Sequence, residues 1–304
     1  MLVAKALREL HVSCPSGREH VSAASGLVRV GDRLFVVADD ENSLGMFNLE
    51  RDEAGTLMRL FPGELPSAPK ARKAAKPDLE SLALLPAFAS FPYGALLALG
   101  SGSRKQRQRG ALLPLGADGS SSEAAKEIDL TDFYSPLRAK YDQLNIEGAF
   151  VGKDQFFLLQ RGNQTGPENA LIGFDWTQTE EWLRGVGPVP RPMSSKTFNL
   201  GDIDGVPLCF TDGAVLPDGG WVFCAAAEAT SDNYADGPCR GSAVGVVTAD
   251  GQLQAVMPLS LKCKTEGIAV TVEDGRMQLL MVTDADDPDS AALLLAATLE
   301  LARP

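Results

Sequence analysis

The sequence predicts an all-β protein: a single β-propeller over residues 1–304, with five four-stranded antiparallel blades around a central channel. Three observations favour this fold. A unit of short apolar strands recurs five times, the turns inside the unit carry hairpin residues, and helical periodicity is scarce. A sixth blade stays open if a segment between two repeats forms one. A two-domain β-sandwich is the structural alternative, but it does not explain the repeat.

Each copy of the unit begins with a turn or acidic residue. A short apolar strand, a Gly/Asp turn and a second, more apolar strand follow. The copies start at Ser25, Glu80, Glu147, Asp212 and Glu266, which lie about 54 to 67 residues apart. This spacing fits the roughly 40–50-residue blades of common propellers once loops are added. The sequences GD, KD, PDGG and EDG between the first and second strands favour hairpin turns.

The segments between the copies are less regular. Residues 64–77, ELPSAPKARKAAKP, are rich in Pro, Ala and Lys without periodicity, which indicates an exposed flexible loop. Residues 131–144 and 177–186 each predict one or two helical turns that decorate the propeller. Residues 283–292, TDADDPDSAA, begin like an EF-hand loop but lack its central Gly and final Glu, so a solvated loop is the better interpretation.

Composition limits the function classes. The 304 residues include 40 acidic and 28 basic ones, a net charge of −12, which argues against a nucleic-acid partner. No secretory signal or membrane-spanning apolar stretch is visible, so we expect a cytoplasmic protein without a membrane partner. The five cysteines never form a C-x-x-C pair, which disfavours a zinc site or a disulfide framework.

Propeller geometry groups the acidic residues. Successive strands of a blade run in opposite directions, so the start of each first strand and the end of each second strand meet at one channel mouth. The expected strand starts are those given above, and the expected second-strand ends are Asp39, Asp40, Ser101, Arg161, Asn163, Glu228 and Asp284. Like charges packed together need a cation, an internal Arg or Lys partner, or raised pKa values.

A calcium site is one interpretation of this ring, because Ca²⁺ takes six to eight hard oxygen ligands. The candidate metal ligands are Glu80, Asn145, Glu147, Asn163, Asp212, Glu228 and Glu266. Glu147 and Glu266 are the candidates to hold the metal in catalysis, with Arg161 stabilising negative charge on a substrate. The alternative is that each carboxylate caps a strand by accepting from backbone amides at a blade junction.

Two loops on the same face could complete a pocket for a small-molecule ligand. Residues 100–110, GSGSRKQRQRG, hold four cationic side chains, and residues 227–241 form the second long loop. A solvated loop is the competing interpretation of each. The candidate pocket residues are Lys76, Arg104, Tyr234, Arg240 and Lys264.

Several catalytic arrangements are excluded. Histidine occurs only at positions 11 and 20, outside every repeat, which removes a His-rich metal site and disfavours a Ser-His-Asp triad. No G-x-S-x-G, H-E-x-x-H or dinucleotide fingerprint is present. Hydrolysis would therefore need a metal ion or a carboxylate base.

The motifs DLESLALLP, NIEGAFVG and KTEGIAV, with the block FTDGAVLPDGGWVFCAAAEAT, resemble a bacterial propeller family of unknown function over about residues 20–300. The acidic motifs are also similar to the D-x-E-G-[LI] pattern of esterase-like phytases. Calcium propellers of the gluconolactonase and paraoxonase type share a strand-start Glu with Asn and Asp partners around one cation. This chain has no histidine to match the one that paraoxonase-type lactonases use.

Two hypotheses follow. The first is a propeller that binds Ca²⁺ in its carboxylate-lined centre and hydrolyses a small ester, lactone or phosphate ester. The second is a non-catalytic binding or scaffold propeller whose central acidic and basic groups pair with one another. Propellers host both classes, so the fold alone does not separate them.

Overall fold

In a computed structural model the chain forms five four-stranded antiparallel sheets, which confirms the five-bladed propeller. The first strands of neighbouring blades contact one another in a closed ring around the channel. The structure describes residues 1–13, 19–121, 124–166, 168–230 and 237–300. Among these residues, no helix has the length and apolar character needed to cross a membrane.

The first half of the chain builds two blades. Strand β1 (Ala4–Glu9) comes first and lies outside the first blade. The strands of the first blade are β2 (Ala24–Val30), β3 (Arg33–Ala38), β4 (Ser43–Asn48) and β5 (Thr56–Arg59). After helix α1 (Pro69–Ala75), the second blade comprises β6 (Leu79–Leu85), β7 (Ala95–Gly100), β8 (Arg109–Pro114) and β9 (Lys126–Asp129), with a 3₁₀ turn at Lys105–Arg107.

The remaining blades follow in chain order. Helix α2 (Thr131–Arg138) leads into the third blade, whose elements are β10 (Ile146–Gly152), β11 (Gln155–Gln160), β12 (Asn169–Asp175), helix α3 (Trp176–Arg184) and β13 (Pro192–Phe198). A small hairpin precedes the fourth blade, and these elements are β14 (Asp202–Ile203), β15 (Val206–Pro207), β16 (Cys209–Val215), β17 (Trp221–Glu228), β18 (Cys239–Val247) and β19 (Leu253–Pro258). The fifth blade contains β20 (Lys264–Glu273), β21 (Arg276–Asp284) and β22 (Leu293–Glu300).

The N-terminal strand closes the ring. β1 pairs antiparallel with β22 and forms the outer edge of the fifth blade, with Ala4 opposite Ala297. Both ends of the chain therefore contribute to one sheet. Five buried apolar clusters fill the spaces between neighbouring blades, so the core is distributed around the ring. The cluster between the second and third blades also takes up α2 and α3, where Phe133 stacks on Trp182 with ring centroids 4.8 Å apart.

Both predicted helical segments contain a helix, and residues 64–77 contain one that the sequence did not indicate. We expected a flexible loop there, but Pro69–Ala75 form α1. A proline at its first turn suits the start of a helix. Lys76 ends the helix in an extended conformation, because Pro77 disfavours helical geometry in the residue before it. This exit carries the Lys76 side chain toward the channel.

A β-bulge lies near the start of the innermost strand of every blade, where its pairing register with the second strand shifts. The residues without a partner on the second strand are Ser25, Glu80, Glu147, Thr211 and, with Gly267, Glu266. Bulges locally re-aim side chains. The three glutamates therefore sit at equivalent, specially oriented positions.

We use the name waist for the level of the channel at five residues that each follow the re-aimed residue of a bulge: Gly26, Ser81, Gly148, Asp212 and Gly267. A Cβ on Gly26 would lie 2.7 Å from the backbone nitrogen of Leu82, and one on Gly267 would lie 2.8 Å from that of Leu27. Neighbouring inner strands thus approach too closely for most side chains, which explains glycine at these two positions.

Candidate functional site

A polar cavity of about 60 Å³ lies where the inner strands begin, and we call it the central cavity. Its ionisable lining comprises seven carboxylates and five cationic side chains: Asp39, Asp78, Glu80, Glu147, Glu228, Glu266 and Asp284, with Lys73, Lys76, Arg107, Arg161 and Lys264. With every group charged, the lining holds an excess of two negative charges. Strand starts and second-strand ends from all five blades supply most of these residues, as the propeller geometry predicts.

The first cluster of charges joins the first and second blades. Oxygens of Asp39, Asp78 and Glu80 lie within 4.8 Å of one another. The Lys76 ammonium contacts Asp39 and lies 3.0 Å from Oδ1 of Asp78. Nη1 of Arg107 lies 2.7 Å from Oδ2 of Asp78. Two cations thus already face this triad of carboxylates.

Burial and neighbouring charges change the titration of this triad. Desolvation is the main reason that the pKa of Asp39 rises to about 7; Lys76 opposes the rise, while Asp284 and Asp78 add to it. Burial also raises the pKa of Glu80 well above its usual value, and repulsion from Glu147 across the cavity reinforces the effect. These carboxylates therefore resist ionisation unless positive charge is added.

Two cations hold the second cluster together. Arg161 lies 3.2 Å from Oε2 of Glu147 and 2.5 Å from Oε2 of Glu228, and so bridges the third and fourth blades. Lys264 lies 3.2 Å from Glu266 and about equally close, at 3.1 Å, to Asp284. This cluster is buried and largely paired, which is the arrangement that buried charges require.

One oxygen in the second cluster is not satisfied. Oε2 of Glu266 has no hydrogen-bond partner among the described residues, although the residue is only 2% exposed. Burial raises the pKa of this carboxyl well above its usual value, and Lys264 lowers it. Burial likewise raises the pKa of Glu147, whose Oε1 accepts a hydrogen bond from the Asn145 amide. An unpartnered buried carboxylate oxygen beside a cavity is suited to hold a cation or a proton.

Asp212 does not line the central cavity, contrary to its expected place among the metal ligands. Its Oδ1 accepts from the backbone amide of Gly213 at 2.8 Å, and its Oδ2 accepts from that of Ile268 at 3.0 Å. The bulge in the fourth blade falls on Thr211, so Asp212 is equivalent to Gly148 and not to Glu147. It closes the waist by bonding backbone amides, which matches the strand-capping alternative.

The other predicted residues divide between cavity and surface. Asn145, Asn163, Lys76 and Lys264 line the central cavity. Oδ1 of Asn163 already accepts from the backbone amides of Thr165 and Gly166, so this side chain mainly shapes its own loop.

Arg104 and Arg240 are exposed and do not line the cavity, and Tyr234 lies outside the described residues. Within the basic loop 100–110 it is Arg107 that enters the cavity, because the 3₁₀ turn directs it inward and buries it.

Asp78 was absent from the predicted ligands, as was Asp39, which the sequence marked only as a strand end. Asp78 stands two residues before Glu80, and that spacing was the available signal. Its φ of 58° places it in the left-handed region, which Asp tolerates better than most residues. Serine at position 101 donates to its Oδ2 at 2.6 Å, so the carboxylate is held at the cavity wall.

Comparison with known proteins agrees with this architecture. A family model described as a family of unknown function (DUF6929) matches residues 20–299. No curated protein gives a significant match.

Among solved structures, the chain is similar to glutaminyl cyclase from Myxococcus xanthus, at 12% identity over 98% of each chain with a TM-score of 0.52. It is also similar to a putative glycoside hydrolase from Parabacteroides distasonis, at 9% identity over 98% of this chain and 95% of the other with a TM-score of 0.51. A luciferin-regenerating enzyme aligns at 10% identity over 99% of this chain and 98% of that one, with a TM-score of 0.48. At these identities the likenesses to the cyclase and the putative glycoside hydrolase bear on the fold alone.

Proposed function

The chain belongs to the family of unknown function DUF6929, and we propose that its central cavity binds one divalent cation, Ca²⁺, and hydrolyses a small ester, lactone or phosphate ester there. The observation that carries the proposal is the triad of Asp39, Asp78 and Glu80, whose oxygens lie within 4.8 Å of one another. Hard oxygen donors at this spacing suit Ca²⁺.

Charge balance supports a cation. The seven carboxylates of the lining exceed its five cationic groups by two, which is the charge that one Ca²⁺ brings. Burial has raised the pKa of Asp39 and of Glu80, so both gain most from an added positive charge. Lys76 contacts two of the three triad members, and a bound cation would compete with its ammonium for them.

The remaining groups suit a hydrolytic step. When bound, the cation would polarise the carbonyl or phosphoryl oxygen of the substrate. Glu266, with its unpartnered Oε2 and raised pKa, would accept a proton from the attacking water. Glu147 would complete the negative wall around the cation, and Arg161 beside it would attract an anionic group of the substrate. A cavity of about 60 Å³ admits only the reacting group, so the rest of a substrate would lie outside it.

A non-catalytic binding or scaffold propeller is the second candidate, and the ion pairs favour it. Arg161 reaches Glu147 and Glu228, and Lys264 reaches Glu266, Asp284 and Asp286 within 3.2 Å. In that case the central charges would stabilise the ring by pairing with one another.

Calcium titration separates the two candidates. Metal-free protein is followed by thermal unfolding as Ca²⁺ is added, for the wild type, Glu80→Gln and Glu147→Gln. The wild type should gain about 2.7 kcal/mol at a concentration 100-fold above Kd, and both variants should gain less. Glu50→Gln, at an exposed position that does not line the cavity, is the matched control and should respond like the wild type.

A wild type whose Tm does not change with Ca²⁺ would contradict the metal site. Hydrolysis is tested separately with a panel of esters, lactones and phosphate esters in the presence of Ca²⁺, Mn²⁺ or Mg²⁺. A calcium-dependent Tm with no turnover of any substrate would favour the binding propeller over the hydrolase.

A further inference from the structure

The opposite end of the channel carries a second pocket, independent of the proposed function. Its volume is about 170 Å³, and we call it the lower pocket. Inner strands of all five blades line it beyond the waist, through residues such as Leu27, Leu84, Val151, Val215 and Val270. Twelve of its fifteen lining residues have apolar side chains. Cavities of this size and character can hold a small apolar ring.

The waist separates the two pockets. Asp212 closes it from one side with its two backbone hydrogen bonds, and the inner strands touch at Gly26 and Gly267. None of the residues that line the lower pocket lines the central cavity. A molecule in the lower pocket would therefore make no contact with the carboxylates.

The walls of the lower pocket leave large apolar side chains open to solvent. Leu84 is 41% exposed and Val215 is 37% exposed, and they come from different blades that face the same space. Covering them with an apolar group removes that surface from water, which favours binding. The pocket thus favours a ligand with an apolar ring or short branched chain.

Arg29 adds a positive charge to the lower pocket, so the ligand should also carry a negative group. It is the one ionisable residue in the lining, and no carboxylate lies there with it. Its Nε donates to the backbone oxygen of Gly31 at 2.8 Å, and its Nη1 donates to Oγ1 of Thr271 at 3.4 Å. These bonds hold the guanidinium between the first and fifth blades. Within the described residues it makes no ion pair, so its charge is available to a ligand.

We propose that the lower pocket binds a small apolar monocarboxylate, with its ring or branched chain against the inner strands and its carboxylate on Arg29. A guanidinium and a carboxylate form charge-assisted hydrogen bonds, which are stronger than neutral ones. The size of the pocket limits the apolar part to about one ring.

Three probes of similar size test the proposal: benzoate, benzamide and benzylammonium. Their dissociation constants are measured by ligand-observed NMR titration of the wild type, Arg29→Gln and Arg29→Lys. Benzoate should bind roughly threefold to tenfold more tightly than benzamide, and benzylammonium should bind most weakly. Arg29→Gln should remove the preference for benzoate and leave benzamide unchanged, and Arg29→Lys should restore part of it.

Leu84→Glu should weaken benzoate and benzamide together, since it places a charge in the apolar wall. Arg191→Gln, an exposed arginine on a different blade, is the control and should bind all three probes like the wild type. Three results would each overturn the proposal: no saturable binding of benzoate, equal affinity for the three probes, or an Arg29→Gln variant that folds and keeps the preference.

Discussion

At one end of the channel the starts of three inner strands, together with second-strand ends and connecting segments, present carboxylates, lysines and arginines. A few residues further along, all five inner strands present mainly apolar side chains such as leucine, valine and alanine. The difference begins at the bulges. Each bulge takes one residue, or two in the fifth blade, out of the sheet pairing, and three of those residues are glutamates. Beyond the waist the strands resume regular pairing, and their side chains pack as in an ordinary core. One set of strands can therefore build a charged site and an apolar site without either affecting the other.

Of the changes considered, removing Arg161 should lower the free energy of unfolding most, because it acts on the charged end of the channel. Arg161→Gln leaves Glu147 and Glu228 buried without their shared cation, and breaking a buried pair from one side costs about 3–5 kcal/mol of unfolding free energy. Urea unfolding with the wild type beside it measures the loss. Arg191→Gln, at an exposed site, should change stability by less than about 0.5 kcal/mol. Equal effects of the two substitutions would show that the buried pairs contribute little.

The charged end should also give the molecule an unusual pH dependence. The pKa of Asp39 is raised to about 7 and that of Asp286 to about 6, so the folded state holds protons that the unfolded state has already released. Stability of the metal-free protein should therefore fall as pH rises through these values. Asp39 alone accounts for roughly 2–3 kcal/mol between pH 5 and 8, and the more exposed Asp286 adds less because solvent screens its charge. Urea unfolding in chelator at several pH values measures the slope.

Asp39→Asn should flatten that slope, because it removes one titrating group while Lys76 keeps Asp78 as a partner. Leu84→Gln changes only the lower pocket and should leave the slope as in the wild type. A stability that rises between pH 5 and 8 would contradict the assignment of raised pKa values to the central carboxylates.

A substitution at the waist should have the smallest of these effects on stability. Gly26→Ala should destabilise the fold by about 1–3 kcal/mol, because its Cβ would lie 2.7 Å from the backbone nitrogen of Leu82, which has little room to move. Gly152→Ala, at the far end of an inner strand, meets only side chains at 3.4 Å and serves as the control. Thermal unfolding measures the Tm of both variants. If Gly26→Ala left the Tm unchanged, the waist would be wider than it is in the structure.

The repeat made the fold predictable, since each blade carries its own strands and turns in sequence. Ring closure by β1 was not predictable in this way, because its partner β22 is distant in sequence and no local pattern links them. The glutamates of the second, third and fifth blades were found because each stands beside a Gly or Ser at a strand start. The DGA of the fourth blade has the same appearance, yet its bulge falls one residue earlier and directs Asp212 away from the cavity.

Three of the five cationic side chains in the cavity, Lys76, Arg161 and Lys264, were among the predicted site residues, whereas Lys73 and Arg107 were not. Lys264 stands two residues before Glu266, and Lys76 reaches the cavity only because α1 ends there before Pro77. Arg104 and Arg107 lie three residues apart in one basic loop, and nothing in their sequence context distinguishes the exposed from the buried one. Their roles depend on how a loop folds over its neighbours, which local sequence does not encode.

The pairing of β1 with β22 also has a consequence for synthesis on the ribosome. Ala4 is synthesised long before Ala297, yet the two sit opposite each other in the finished sheet. The edge that β1 covers in the fifth blade does not exist until β22 has been synthesised. β1 must therefore wait without its partner while the intervening strands are made, and closing the ring joins two segments that are synthesised at widely separated times.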